Sequence, residues 1–160
     1  MSKTVATYCF LILLLMNCSS DDSSPANNNN SPEFVKTYGG SKNDSAQSVT
    51  ATTDGGYIVL GHTQSNDNDI TDKQDESFDY WILKFDANDQ LQWQKTYGGF
   101  YNEYGYTAEK AKTGFIIKGT KQNCPNNTDI NRKCTTNVWF VTIDKNGKEV
   151  SNQLLEEIKL

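Results

Sequence analysis

Residues 36–40 read KTYGG, and residues 95–99 read KTYGG again. Each copy is followed by a second shared segment, DGGYIVLG at residues 54–61 and KTGFIIKG at residues 112–119. Repetition at a fixed period of this size is typical of a supersecondary unit that buries its apolar face only against neighbouring units. The chain therefore contains two copies of one structural unit.

A third pair of segments belongs to the same repeat, with YWILKFD at residues 80–86 and VWFVTID at residues 138–144. Short runs rich in β-branched and aromatic residues alternate here with turns built from Gly, Asn and Asp, which is the pattern of strands and hairpins. Asp54-Gly55 and Asn146-Gly147 supply the positive φ angles that tight hairpins need. We predict an all-β domain in which each unit is a four-stranded antiparallel sheet.

Two of the apolar runs, residues 57–60 and residues 80–83, do not alternate with polar residues, which indicates strands covered on both faces. The repeated pattern resembles the tandem propeller-type repeats of secreted bacterial proteins over residues 34–150. That resemblance implies propeller-blade-like units at about residues 41–99 and 100–155, and it fixes no chemistry. We expect Trp81 and Trp139 to lie in equivalent interior environments.

Two blades are fewer than the roughly four to eight that close a propeller. The chain also has an additional N-terminal strand, residues 34–38, which matches the last strand of a unit. Self-association could complete a ring, the chain could descend from a longer one by truncation, or the extra strand could complete the second unit. We favour the third alternative because the last strand of the second unit is degraded at Glu149-Val150-Ser151.

The C-terminal tail, residues 151–160, has Leu154, Leu155 and Ile158 at helical spacing. Glu156 and Glu157 would then point outward. This spacing favours a short C-terminal helix that covers a sheet face over a last strand.

The N-terminal leader has a basic Lys3 and an apolar run over residues 5–16 that is too short to span a bilayer. Residues 15–18 read LMNC, which resembles the lipobox of bacterial lipoproteins, although Asn17 stands where that motif has a small residue. The resemblance implies that residues 1–17 are a signal peptide and that Cys18 carries the acyl chains, palmitate among them, that anchor the protein to a membrane. The alternative is an ordinary signal peptide with an incidental cysteine.

Residues 18–32 form a segment of Ser, Asp, Asn and Pro after the cysteine, which predicts a flexible tether to a β-repeat domain at residues 33–160. The Ser/Asp cluster resembles the export signal of surface-displayed lipoproteins. We therefore expect an outer-membrane lipoprotein of the cell envelope, with display on the cell surface favoured and the periplasmic face as the alternative.

The net charge of the chain is −5. A nucleic-acid partner is disfavoured, because phosphate binding needs a concentrated basic face and the sequence has none. The acidic excess indicates solubility, with cation binding as a second interpretation.

Two cysteines, Cys124 and Cys134, flank a polar loop between strands of the second unit. In an exported protein, a disulfide between them is the expected arrangement. The corresponding loop of the first unit carries Asp67, Asp69 and Asp72, whose oxygen ligands suit Ca²⁺. A solvated loop without metal is the alternative, and no other cofactor is expected.

No catalytic motif is found around His62, the single histidine, and we predict that the protein is not an enzyme. The predicted function is a lipid-anchored binding or interaction module with a protein or glycan ligand. The alternative is a glycan-active enzyme or carbohydrate-binding accessory protein that uses loop carboxylates and aromatics. The aromatics near the repeat junctions either bind sugars or pack between units; they are Tyr38, Tyr97, Phe100, Tyr101, Tyr104 and Tyr106.

Overall fold

The computed structural model describes residues 35–124 and 133–155, and the residues from Lys36 onward pack as one unit. The strands are β1 (Asp44–Ala51), β2 (Tyr57–Thr63), β3 (Asp79–Phe85), β4 (Leu91–Tyr97), β5 (Glu103–Lys110), β6 (Gly114–Asn123), β7 (Thr135–Asp144) and β8 (Glu149–Leu155). In these two ranges every regular element is a strand. No helix that could cross a membrane occurs within them. The predicted all-β class is confirmed.

Strands β1–β4 form a first four-stranded sheet and strands β5–β8 a second, and neither closes into a barrel. Within each sheet, every strand pairs antiparallel with its neighbours in sequence, as predicted. The repeat extends to the backbone irregularities, since β1 shifts register between Ala46 and Ser48 and β5 shifts at the equivalent place between Gly105 and Thr107. Such paired bulges bend the first strand of each sheet in the same way.

The main core lies between one face of the first sheet and one face of the second. The first sheet contributes Ile58, Leu60, Tyr80 and Ile82, and the second contributes Phe115, Ile117, Trp139, Val141 and Ile143. Strand β5 lies against β1, β2 and β3. The Tyr80 hydroxyl donates a hydrogen bond to the Trp139 carbonyl over 3.0 Å, and their rings lie 4.8 Å apart. This polar contact satisfies the buried hydroxyl inside an apolar interface.

The opposite face of the first sheet carries a second, smaller cluster around Trp81, Leu83 and Phe85, which is packed against Ile70 and Tyr38. All seven residues of β3 are therefore buried, whereas β7 alternates between buried and more exposed positions. The prediction of strands covered on both faces holds for the first sheet. The prediction that Trp81 and Trp139 have equivalent environments is wrong. Both indoles are buried, but Trp139 packs against the other sheet, whereas Trp81 packs under a loop and the N-terminal segment, which cover that face of the first sheet.

The position of the N-terminal segment corrects one prediction. Residues 35–40 form no strand, and the Tyr38 ring packs edge-on against Phe85 at 5.3 Å, over the first sheet. The fourth place in the second sheet is taken by β8, which pairs with β7. The prediction that the N-terminal strand completes the second unit is therefore wrong, because residues 149–155 supply that strand despite their polar sequence.

The C-terminal tail also differs from the favoured prediction. Residues 151–155 belong to β8, with Leu155 opposite Val138 and Leu154 opposite Trp139. Backbone pairing with the open edge of β7 decides in favour of the strand, although Leu154 and Leu155 have helical spacing. Residues 156–160 lie outside the described ranges, as do the predicted signal peptide, the predicted lipidation site Cys18 and the predicted tether over residues 18–32.

Candidate functional site

A cleft of about 920 Å³ opens between the two sheets at the end where the tight hairpin turns lie. Its walls come from three turns, those after β1, β5 and β7, together with the start of β4. These turns belong to both repeat units, so the cleft exists only because the two sheets pack together. Its volume falls in the range of roughly 300–1,000 Å³ that is usual for small-molecule sites.

Short carboxylate-capped turns shape the mouth of the cleft. In the turn after β7, the Asp144 carboxylate accepts hydrogen bonds from the backbone amides of Asn146 and Lys148 over 2.8 and 2.9 Å. Gly147 takes a φ of +76° there, a conformation that favours glycine. The turn after β3 repeats this arrangement, with Asp86 accepting two amides and Asp89 at a φ of +59°. The two aspartates therefore act as turn residues.

Trp93 is an aromatic residue whose ring is partly exposed in the cleft. Its indole is half-buried, packs against the main core and also lines the cleft. The ring rests on Gly147, where a Cβ atom would lie only 3.0 Å from an indole carbon. Gly147 is thus required for backbone conformation and for the space that the ring occupies.

The cleft is more basic than the chain as a whole. Four lysines line it, Lys84, Lys110, Lys112 and Lys145, against two carboxylates. Lys84 pairs with Asp54 at 3.0 Å, so this pair is internally neutral. Within residues 35–124 and 133–155, the other three lysines form no ion pair.

The two carboxylates of the cleft are held ionised by their hydrogen bonds. A hydrogen bond from Thr52, followed by one from Lys84, lowers the pKa of Asp54. The backbone amides of Lys148 and Asn146 lower the pKa of Asp144 in the same way. Both carboxylates are therefore ionised at neutral pH, and neither offers a proton donor.

The three aspartates predicted to bind Ca²⁺ are engaged with backbone amides. Asp67 accepts the amide of Ser41, Asp69 that of Gly39 and Asp72 that of Thr96, each over 2.9 Å. These bonds fasten the loop after β2 to the N-terminal segment and to β4. In the described part of the chain, no three carboxylate, thiol or imidazole side chains are grouped to hold a metal ion. The calcium site stays a prediction.

A buried charge cluster at the opposite end of the sheets was not predicted. Lys73, whose side chain is fully buried, contacts Asp75 and lies 3.5 Å from Asp79. Glu103, also fully buried, pairs with Lys121 at 2.7 Å and accepts the amide of Gly99 over 3.1 Å. A Cβ atom on Gly98 would lie within 2.7 Å of both the Asp79 and the Glu103 carboxylates, so the two acids flank this glycine.

Burial controls the protonation of these two acids. Desolvation raises the pKa of Asp79 to about 7, against the attraction of Lys73. Desolvation also raises the pKa of Glu103, although Lys121 opposes the shift. The role of Glu103 could be predicted in part from the sequence. Glu103 follows the second KTYGG copy at the same distance as Asp44 follows the first, and each carboxylate accepts a hydrogen bond from a glycine amide. No sequence pattern indicates that Lys73, which lies within a long loop, joins this cluster.

His62 and most of the aromatic residues near the repeat junctions pack against other side chains. The His62 ring contacts Phe78 and Tyr104 edge-on at 5.6 and 5.0 Å, and burial lowers its pKa. Tyr38 and Tyr97 are also part of the packing, the latter with its hydroxyl on the Gly147 carbonyl. Three aromatics differ: Phe100 is 87% exposed, Tyr106 is 46% exposed, and Tyr101 contacts Phe100 edge-on.

The predicted cysteine pair is found at disulfide distance, with 2.08 Å between the sulfurs of Cys124 and Cys134. The Cα atoms lie 4.2 Å apart, and the pair joins the end of β6 to the start of β7. This link lies away from the turns that line the cleft.

No protein-family model matches this chain, and a comparison with curated proteins gives no match either. The function is therefore argued from the geometry of the cleft and of the buried charge cluster.

Proposed function

We propose that this protein is a binding module of the bacterial cell envelope, anchored to the outer membrane through lipidated Cys18, that holds a ligand in the cleft between its two sheets. It performs no catalysis in this role. The observation that carries the proposal is the cleft itself, in which a half-buried indole and several polar side chains meet in a volume suited to a small ligand or a segment of a larger one.

The framework around the cleft supports this role. Two of the turns are fixed by hydrogen bonds to Asp54 and Asp144, and the turn after β5 is closed by a backbone hydrogen bond from Ala111 to Gly114. The start of β4 is anchored in the main core through Trp93. A site built on such elements loses little conformational freedom when a ligand binds, which favours affinity. The carboxylates of the walls are already used as hydrogen-bond acceptors, and the ligand would meet mainly Trp93 and the lysines.

The binding role predicts that Trp93→Ala weakens ligand binding by about thirtyfold or more, since truncating an aromatic anchor typically costs roughly 2 kcal/mol or more. Immobilised neutral and acidic oligosaccharides would serve as probes for the full chain in surface plasmon resonance. Phe100→Ala, an exposed aromatic outside the cleft, is the matched control and should bind as the parent does. If the Trp93 variant binds as tightly as the parent and has an unchanged circular dichroism spectrum, the ligand does not bind in the cleft.

The anchor predicts a change in location for Cys18→Ser. Stable anchoring needs more than one acyl chain, and the variant loses the thiol that would carry the lipid. We expect the parent protein to sediment with outer membranes and to incorporate labelled palmitate. The variant should do neither. A variant that still sediments with membranes after a high-salt wash would contradict lipid anchoring at this cysteine.

A second candidate function, glycan cleavage, is favoured by one observation, the convergence of Asp79 and Glu103 on Gly98. Two carboxyl groups with raised pKa values are the elements of an acid–base pair for glycoside hydrolysis. Both side chains are buried and tied to lysines, which instead suits a structural role. Release of reducing ends from an oligosaccharide, abolished by Asp79→Asn and by Glu103→Gln, would support the enzyme and overturn the non-catalytic proposal.

A further inference from the structure

We propose that the cleft selects an acidic carbohydrate, a chain of uronic-acid type with a carboxylate on its sugar rings. This inference rests on the proposed binding function and adds the class of ligand. It is carried by three features that meet in one cleft, namely a half-buried indole, ammonium groups without an ion-pair partner in the described ranges, and a set of hydroxyl and amide side chains.

The positive charge of the cleft comes from the second sheet. Lys110 and Lys112 lie at the turn after β5, and Lys145 lies at the turn after β7; all three are exposed. In the described ranges no carboxylate pairs with them, while Lys84 is satisfied by Asp54 and by the Phe85 carbonyl. A chain of net charge −5 thus presents three unpaired ammonium groups at one site. Such local charge attracts an anion against the overall field of the protein.

The aromatic contribution comes from the first sheet. Trp93 lies at the start of β4 and lines the same cleft as the three lysines. A ring on one wall and cations on the other suit a ligand that has both an apolar face and an acidic substituent. A uronic-acid residue has this combination, with axial C–H groups on the ring face and a carboxylate at its edge.

The remaining lining favours a polyhydroxylated ligand over an acidic peptide. Hydroxyl and amide groups are supplied by Thr53, Thr113, Gln92 and Asn146, while the Thr52 hydroxyl is already bonded to Asp54. These four side chains both donate and accept hydrogen bonds, as sugar hydroxyls do. A sugar ring presents several such hydroxyls around its edge, whereas a peptide presents one backbone donor and one acceptor per residue.

Three probes test the inference by isothermal titration calorimetry with the full chain. They are tetragalacturonate, its fully methyl-esterified form, which keeps the backbone and loses the charge, and a tetraglutamate peptide, which keeps the charge and loses the sugar. We expect tetragalacturonate to bind at least about tenfold more tightly than either comparison probe, since a few exposed ion pairs together amount to roughly 1.4 kcal/mol. The affinity should also fall as salt is added.

Charge variants locate the site. The triple variant Lys110→Gln, Lys112→Gln, Lys145→Gln should lose about tenfold in affinity for tetragalacturonate and little for the ester. The matched control changes three exposed lysines outside the cleft, Lys36→Gln, Lys95→Gln and Lys133→Gln, and leaves both affinities as they are. It has the same net charge, so a general electrostatic effect would move both variants equally and overturn the inference.

The outcomes separate the inference from the proposed function. Equal binding of acid and ester, with both lost in Trp93→Ala, would overturn the acidic-ligand inference and leave the cleft as a carbohydrate site. Tetraglutamate bound as tightly as tetragalacturonate would overturn the carbohydrate class. Failure of tetragalacturonate to bind overturns the inference. Failure of every neutral and acidic oligosaccharide, or binding that is unchanged in Trp93→Ala, counts against the proposed function as well.

Discussion

Trp139→Ala is expected to lower the free energy of unfolding by about 3–5 kcal/mol, the usual cost of removing a large aromatic side chain from a core. Trp139 is only 6% exposed and lies in the interface between the two sheets, where its ring packs on Tyr80. The cavity left behind would lie between two rigid sheets that cannot easily close over it. Urea denaturation followed by circular dichroism would measure the loss.

The equivalent residue of the first unit provides the comparison. Trp81→Ala should cost less, roughly 2 kcal/mol, because its cluster is small and borders an open groove of about 220 Å³ where Tyr38 and water can move in. Phe100→Ala, at an 87% exposed position, is the neutral control. Equal losses at Trp139 and Trp81 would mean that the outer face of the first sheet is as tightly packed as the interface, contrary to the groove seen there.

The repeat and its strands could be predicted because their signals are local. Apolar runs, Asp-Gly and Asn-Gly turns and the Asp86 and Asp144 positions each determine a few residues of backbone, and all of them recur in both units. The N-terminal segment could not be placed in this way. Whether Tyr38 joins the second sheet or covers Phe85 depends on two distant surfaces, and no sequence pattern compares their free energies. The same holds for β8, whose polar residues form a strand because an edge was open to them.

The cleft was missed for a related reason. It is assembled from three turns, the start of β4 and the Lys84 side chain of β3, and the sequence around its aromatic group, Trp93, indicates only a strand. Turn residues carry signals for their own conformation but none for the turn that faces them. The charge cluster was missed because Lys73 reaches Asp79 only through the path of a long loop, and burial of a lysine is uncommon enough not to be expected.

One informative difference between the two copies was present in the sequence. Leu60 is fully buried against the second sheet, and the equivalent position in the second unit is Lys118. Lys118 pairs with Glu109 at 2.6 Å on the outer face of the second sheet. The same face also carries Phe140 opposite Lys118, and Val138 opposite Thr120, with Val138 44% exposed. The Lys118–Glu109 pair is therefore a polar contact within a face that is largely apolar.

The buried charge cluster predicts that stability declines from weakly acidic to weakly basic pH. Two lysines and three carboxylates make up the cluster, so it is neutral only when one acid holds a proton. Asp79 is that acid, since burial raises its pKa to about 7, far above the ordinary value of 3.8. Between these two values the folded chain holds a proton that the unfolded chain has released, and raising the pH through this window removes stability.

Asp79→Asn should abolish most of this decline. Asparagine keeps the shape of the side chain and stays neutral, so the variant should be about as stable as the parent near about pH 5 and more stable by about 2–4 kcal/mol near about pH 8. Urea denaturation across this range would measure both curves. Asp69→Asn, at an exposed position in the loop before β3, is the control. Its amide oxygen can still accept the hydrogen bond from Gly39, so the variant should keep the pH dependence of the parent. His62 titrates in the same window with the opposite sign, because burial lowers its pKa, and it acts equally on all three proteins.

The protonation state of Asp79 is therefore decided by comparing the stability of the variants and the parent across pH, and not by the parent alone. If Asp79→Asn is destabilised by the same amount at both pH values, the Asp79 carboxylate is ionised throughout and Lys73 stabilises it as an ion pair. The cluster would then carry a net negative charge in the interior, and Lys73→Met should be the more damaging change, since it would leave that charge without its buried partner. If instead Asp79 holds a proton, Lys73 keeps Asp75 as its partner in the variant, and the loop after β2 stays fastened at every pH.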